Sequence, residues 1–162
     1  MQKGKTVRKG IKNYTTTIST ESTISEIEKL LARHGAKKIM KEYDDNQQVI
    51  NITFMVKYNT GFVPIRLPSN PEKVLVLLNE KVDEKAIPQR FRNDKEQAQR
   101  IMWRVILDWI DAQMALVEIG QRNLLQVFFA DICSVVSDET LYESLIEEEL
   151  PRYLIADNKR NG

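Results

Sequence analysis

The sequence predicts an α+β fold: a small antiparallel sheet in the order β-α-β-β-β-α, packed with a long amphipathic helix and further helices towards the C-terminus. Three observations carry this. Residues 47–58, QQVINITFMVKY, alternate Ile50, Ile52, Phe54, Val56 and Tyr58 with Val49, Asn51, Thr53, Met55 and Lys57, the period of a strand with one core face. The turn clusters Asp44-Asp45-Asn46 and Asn59-Thr60-Gly61 separate this run from AKKIMKEY before it and FVPIRL after it, so three strands form a meander. From Asp94 onward, apolar residues recur at helical spacing for about 25 residues, as one face of a long helix requires.

The elements follow in order. Residues 1–13 read as a basic flexible arm, in which Gly4 and Gly10 punctuate a polar stretch. Tyr14 to Ser19, YTTTIS, is β-branched and aromatic and predicts a first short strand. The next helix has Ser22 or Thr23 as its cap, Ile24, Ile27, Leu30 and Leu31 on one face, and Gly35 as its left-handed stop. Within the third meander strand Pro64 cannot donate to a ladder, which places that strand at an edge or a bulge. LPSNPEKVLVLLNEK restarts a helix with Pro71 in its first turn, and residues 81–93 read as a loop. The long helix should bury Ile101, Val105, Ala112, Leu116 and Ile119, widened by Met102, Ile106, Trp109, Ile110 and Val117. After Gly120, LLQVFFADICSVV predicts an apolar helix and ETLYESLIEEEL a short acidic one. Residues 14–156 are thus expected to form one domain, with 157–162 as a flexible tail.

With 42% hydrophobic and 29% charged residues over 162 positions, the composition is that of a globular chain able to bury a core without disulfides or a structural metal. Cys133 stands alone and has no internal partner for a bridge, so a reducing, cytoplasmic setting is expected. No apolar run is long enough to cross a bilayer, and no membrane partner is expected.

Little in the sequence asks for catalysis. His34 is the only histidine and stands at a helix end, where it can meet the last carbonyls. Cys133 lies among Phe128, Phe129, Ile132, Val135 and Val136, a setting that makes a thiol inert. Asp108, Asp111 and Glu118 share the long helix and could serve Mg²⁺, but Glu96, Arg100, Arg104 and Asp108 recur every fourth residue as an ion-pair ladder does. No phosphate loop, nucleophile elbow or dinucleotide fingerprint is present, and neither a metal nor a cofactor is called for.

The net charge of +1 hides two poles. Lys3, Lys5, Arg8, Lys9 and Lys12 precede any acid, and such segments neutralise nucleic-acid backbones regardless of sequence. Lys38, Lys57 and Arg66, with Phe62 nearby, fall on the second face of the meander, the arrangement of a platform for single strands. That face also carries Glu42 and Met55. Lys57, Phe62 and Arg66 thus join the arm as candidate contacts to single-stranded or duplex nucleic acid. At the other pole Glu143, Glu147, Glu148 and Glu149 could dock on a basic protein partner, making the chain an inhibitor or adaptor. Pairing of the long helix across a homodimer is also open.

Two stretches carry a resemblance: KNYTTTIS with SEIEKLLARHGAKKIMKEYD, and FMVKYNTGFVPIRLPSNPEKV with AQRIMWRVILDWIDAQMALVEIG. Over most of residues 12–120 the chain resembles a family of small uncharacterised proteins carried by bacteriophages and integrative elements of bacteria. The resemblance implies a mobile-element context, where replication, recombination and evasion of host defence are common tasks, and it assigns no residue a role.

Overall fold

Ser19 is extended and its hydroxyl accepts the Ser22 N–H at 3.2 Å, so the chain enters its first helix one turn before the expected caps. In the computed structural model, which describes residues 10–154, that helix is α1 (Thr20–Arg33). It is followed by β1 (Ala36–Tyr43), β2 (Val49–Tyr58), β3 (Gly61–Arg66), α2 (Pro71–Asp83), α3 (Lys95–Glu118), α4 (Leu124–Val127) and α5 (Leu141–Leu145). Short 3₁₀ turns occupy Gln89–Phe91, Phe129–Asp131 and Leu150–Tyr153. Gly35, at φ 107°, takes the left-handed conformation that ends α1, and His34 packs there as a cap, its Nδ1 2.8 Å from the Leu30 carbonyl.

The expected α+β class holds, and the meander is as predicted: the sheet order is β1-β2-β3, antiparallel throughout. Asp44 shapes the first turn by accepting the N–H groups of Asn46 and Gln48 at 2.9 and 2.8 Å. Ile52, Phe54, Val56 and Ile65 line one sheet face and share a core with Ile27 and Leu31 of α1 and Trp103, Ile106 and Ile110 of α3. A second core, Leu78, Val82, Ile87, Phe91, Ala98 and Ile101, joins α2 to the other side of α3.

Four expectations are corrected. Tyr14–Ser19 is not a strand; it lies against α3 as a strap whose carbonyls find a side chain, because the Gln97 amide Nε2 donates to Tyr14 O at 2.8 Å and Thr16 O at 2.9 Å. The expected loop at 81–93 begins later, since α2 runs on to Asp83 and Pro88 leads into a 3₁₀ turn. On α3 the buried set is Gln97, Ala98, Ile101, Met102, Trp103, Ile106, Leu107, Ile110 and Met114, whereas Val105, Leu116 and Ile119 are exposed. The helix is held between α1, α2 and the sheet, so a wide arc is buried and not the single stripe centred on Val105.

The fourth correction concerns residues 124–136. Only one turn, Leu124–Val127, is helical, closed by a capping box between Asn123 and Gln126. Phe128 then leaves the helix and is fully buried, edge-on to Phe54 at 5.2 Å and to Trp109 at 5.3 Å. Beyond it Ile132 bridges to Ile65, and Cys133 N donates to Pro64 O at 3.0 Å, so this segment lies along the outer edge of β3. A small hairpin returns through Asp138, at φ 62°, to Thr140 opposite Cys133.

Candidate nucleic-acid interface

The register assigns each side chain on the sheet to a face. Phe54 pairs with Ile39 and Ile65 on the core side, so the opposite side presents Lys38, Met40 and Glu42 of β1, Asn51, Thr53, Met55 and Lys57 of β2, and Phe62, Pro64 and Arg66 of β3. No helix among the described residues covers this outer face, and Met40 and Phe62 are 51% and 47% exposed. Lys57 stands directly opposite Phe62 in the ladder, and the Lys38 ammonium lies 4.8 Å from the Phe62 ring centre. A half-exposed aromatic ring thus has one ammonium against it and a second lysine paired with it in the ladder, a local arrangement suited to stacking one base while its neighbouring phosphates meet ammonium groups.

Two other predicted contacts are engaged within the fold. Arg66 donates through its guanidinium to the Asp138 carboxylate and, at 3.2 Å, to the Asp138 carbonyl. The Asp138 hydrogen bond is the main cause holding the Arg66 pKa above its ordinary value, against the effect of burial. Arg66 therefore ties the C-terminal hairpin to β3 and is not free for a phosphate. Lys12 pairs with Asp108 at 2.9 Å, and Asn13 donates to the same carboxylate at 3.0 Å. Burial pushes the Asp108 carboxyl up, but the hydrogen bonds from Lys12 and Asn13, helped by the charges of Lys12 and Arg104, leave it below the usual carboxylate range. Lys12 thus belongs to the folded body, whereas Lys3, Lys5, Arg8 and Lys9 lie outside the described residues.

The long-helix acids do not converge. Asp108 turns to Lys12, Glu118 to His34 Nε2 at 2.7 Å, and Arg104 reaches Glu26 of α1 at 3.3 Å, leaving only Glu96 and Arg100 of the ladder paired on α3 itself. Among the described residues no group of three or more His, Cys, Asp or Glu side chains could hold a metal ion, and no helix is long and apolar enough to cross a membrane. Cys133 is buried, and burial, opposed in part by Arg66, pushes its thiol pKa up.

At the acidic pole the four glutamates divide. Glu143 accepts the Thr140 N–H at 2.8 Å and hydroxyl at 3.0 Å, closing a capping box at the start of α5. Glu149 pairs with Arg152 at 2.8 Å. Glu147 and Glu148 are exposed, and Glu149 lines an apolar groove of about 520 Å³ together with Phe129, Leu141, Tyr142, Leu145, Ile146 and Leu150.

Comparison with protein-family models, curated proteins and solved structures finds no match. Site assignment therefore rests on the geometry. Sequence reasoning missed Asp138 as the partner of Arg66; the turn-forming Ser137-Asp138 pair was the available signal, but its fold-back onto β3 is a tertiary event.

It also missed Asp131, whose carboxyl is pushed up by burial. A raised folded pKa means that the charged form is disfavoured in the fold, so stability is greatest below the ordinary aspartate pKa of about 3.9 and is lost as pH rises through the folded value. Asp131→Asn should therefore raise the melting temperature at neutral pH, and the gain should vanish in acid. Equal gains at both pH values in thermal scans would show that ionisation of Asp131 is not the cause.

Proposed function

We propose that this chain is a non-enzymatic nucleic-acid-binding accessory protein of a phage or mobile element, acting in the cytoplasm and holding a single-stranded segment on the outer face of its sheet. The observation that carries the reading is the exposed Phe62 ring, with the Lys38 ammonium against it and Lys57 opposite it in the ladder, on a face that no helix among the described residues covers. A shallow sheet of this kind suits unstacked bases better than a duplex, because a base can lie on the ring only when it is free of its own stack. The basic residues Lys3, Lys5, Arg8 and Lys9 would add contacts to the backbone without regard to sequence. The resemblance to mobile-element proteins supports the same context.

Fluorescence anisotropy with labelled single- and double-stranded DNA and RNA, at about 50 and 200 mM salt, tests this directly. Single strands should bind more tightly, with affinity falling steeply as salt rises. Phe62→Ala should weaken binding by about 1–3 kcal/mol at either salt concentration, the value of one stacked base. Lys57→Ala should instead reduce the salt slope by about 0.7–1, as loss of one phosphate contact does. Unchanged affinity in both variants would remove the sheet face from the site.

The apolar groove lined in part by Glu149 favours a second reading, an inhibitor or adaptor that captures a basic, partly apolar protein segment. Absence of binding to every nucleic acid tested would shift the assignment to that groove.

A further inference from the structure

The sheet has two edges, and they are treated differently. Along β3 the outer edge is occupied, since Ile132 bridges to Ile65 and Cys133 N donates to Pro64 O. Along β1 the outer edge has no strand beside it among the described residues. It offers Ala36–Tyr43, with alternate N–H and C=O groups directed away from β2.

We propose that β1 pairs antiparallel with β1 of a second copy of this chain, about a two-fold axis that sets Met40 opposite its own copy, giving a continuous six-stranded sheet. The charges on AKKIMKEY select this register. A two-fold axis perpendicular to the sheet keeps outer face against outer face, so the axis must pass through a residue pair, and the central candidates can be compared. Centring on Lys38 opposes it to itself, and centring on Ile39 sets Lys38 against Met40 and leaves Lys38 and Glu42 each without an opposite charge as partner. Centring on Lys41 or on Glu42 opposes each of those charges to its own copy. Centring on Met40 alone pairs opposite charges while opposing no like ones: Lys38 faces the partner's Glu42, Glu42 faces the partner's Lys38, and Ile39 faces the partner's Lys41.

The side chains involved are accessible. Lys38, Met40 and Glu42 are exposed, with Met40 at 51%; within one chain Lys38 rests against the Phe62 ring and Glu42 accepts from Asn51 Nδ2 at 3.2 Å, exposed contacts that the two side chains exchange on pairing. On the core side Lys41 is already drawn towards Glu28 of α1, 2.7 Å away, and so leaves the space opposite Ile39 less charged. Because the β3 edge is covered in each copy, the pairing closes at two chains and does not propagate into a fibre. The inference does not depend on the nucleic-acid reading, and its test contains no nucleic acid.

Sedimentation velocity of the full chain over a wide concentration range should show reversible dimers. Glu42→Lys and Lys38→Glu should each weaken dimerisation by about tenfold or more, since each turns two attractive cross-strand pairs into repulsive ones. An equimolar mixture of the two variants should dimerise again, because Lys38 of one then meets Glu42 of the other and the introduced Lys and Glu meet as well. The double variant Lys38→Glu/Glu42→Lys should dimerise like the parent chain and covers the case in which a single variant fails to fold. A parent chain that stays monomeric at every concentration overturns the proposal. So do single variants that dimerise like the parent, or a mixture and a double variant that both fail to recover.

Discussion

Replacing Trp103 by alanine should cost about 3–5 kcal/mol of folding stability, the range for removing a large aromatic side chain from a packed core. Trp103 is fully buried where α3 meets α1 and the sheet, so the surrounding Ile27, Phe54 and Ile106 cannot close the void without moving whole elements. Its indole Nε1–H meets no protein acceptor among the described residues, which gives the site a built-in control. Trp103→Phe keeps most of the ring and removes the unpaired donor. The void left by the smaller ring and the relief of an unsatisfied group, about 1–3 kcal/mol, should then largely cancel. Urea unfolding of the two variants should therefore separate widely in midpoint, and similar midpoints would show that burial of the ring is not what Trp103 contributes.

The second large effect is expected at Gln97. Its side chain is buried; the amide Nε2 donates to the carbonyls of Tyr14 and Thr16, and Oε1 accepts from the Arg100 guanidinium at 3.4 Å. Gln97→Leu keeps the volume roughly constant but leaves both carbonyls without that donor, at about 1–3 kcal/mol for each group kept from water. A loss of about 2–4 kcal/mol in urea unfolding is the expected result, accompanied by faster hydrogen exchange in residues 14–20. If stability falls by less than about 0.5 kcal/mol, water replaces the amide and the strap is held by Tyr14 packing on Phe91 instead.

Gln97 also shows why one part of the fold was hidden from the sequence. YTTTIS has every local property of a strand, yet the sheet lies elsewhere: local turns take up the N–H groups of Tyr14 and Thr16, and the carbonyls of the same two residues are satisfied by one side chain some eighty positions away. Local preference therefore lost to a tertiary hydrogen bond that no window of sequence contains. The meander was legible because its signal is local and doubled: strict alternation within Val49–Tyr58 and turn residues at both ends. The long helix was legible in position but not in orientation, because a helix packed on three sides buries residues that periodicity assigns to its flank.

The candidate site divides in the same way. Lys57 and Phe62 could be placed on one face from period and turn length alone, and the register sets them opposite each other. Arg66 and Lys12 could not be assigned, because a charge read from sequence has no partner, and theirs, Asp138 and Asp108, arrive from distant parts of the chain. The capping role of Glu143 was overlooked for a different reason: the third residue after a threonine cap is a local pattern, overshadowed by the acidic run that follows.

Phe128 bears on how far the chain can be divided. Its ring is wedged between Phe54 of the sheet and Trp109 of the long helix, although it belongs to a stretch with little regular structure. A chain shortened at Gly120 would keep every strand and all three long helices and still lack the piece that seals them. The irregular C-terminal third is thus a keystone and not an appendix, and modular reuse of the sheet and helices, by nature or by design, has to carry it along.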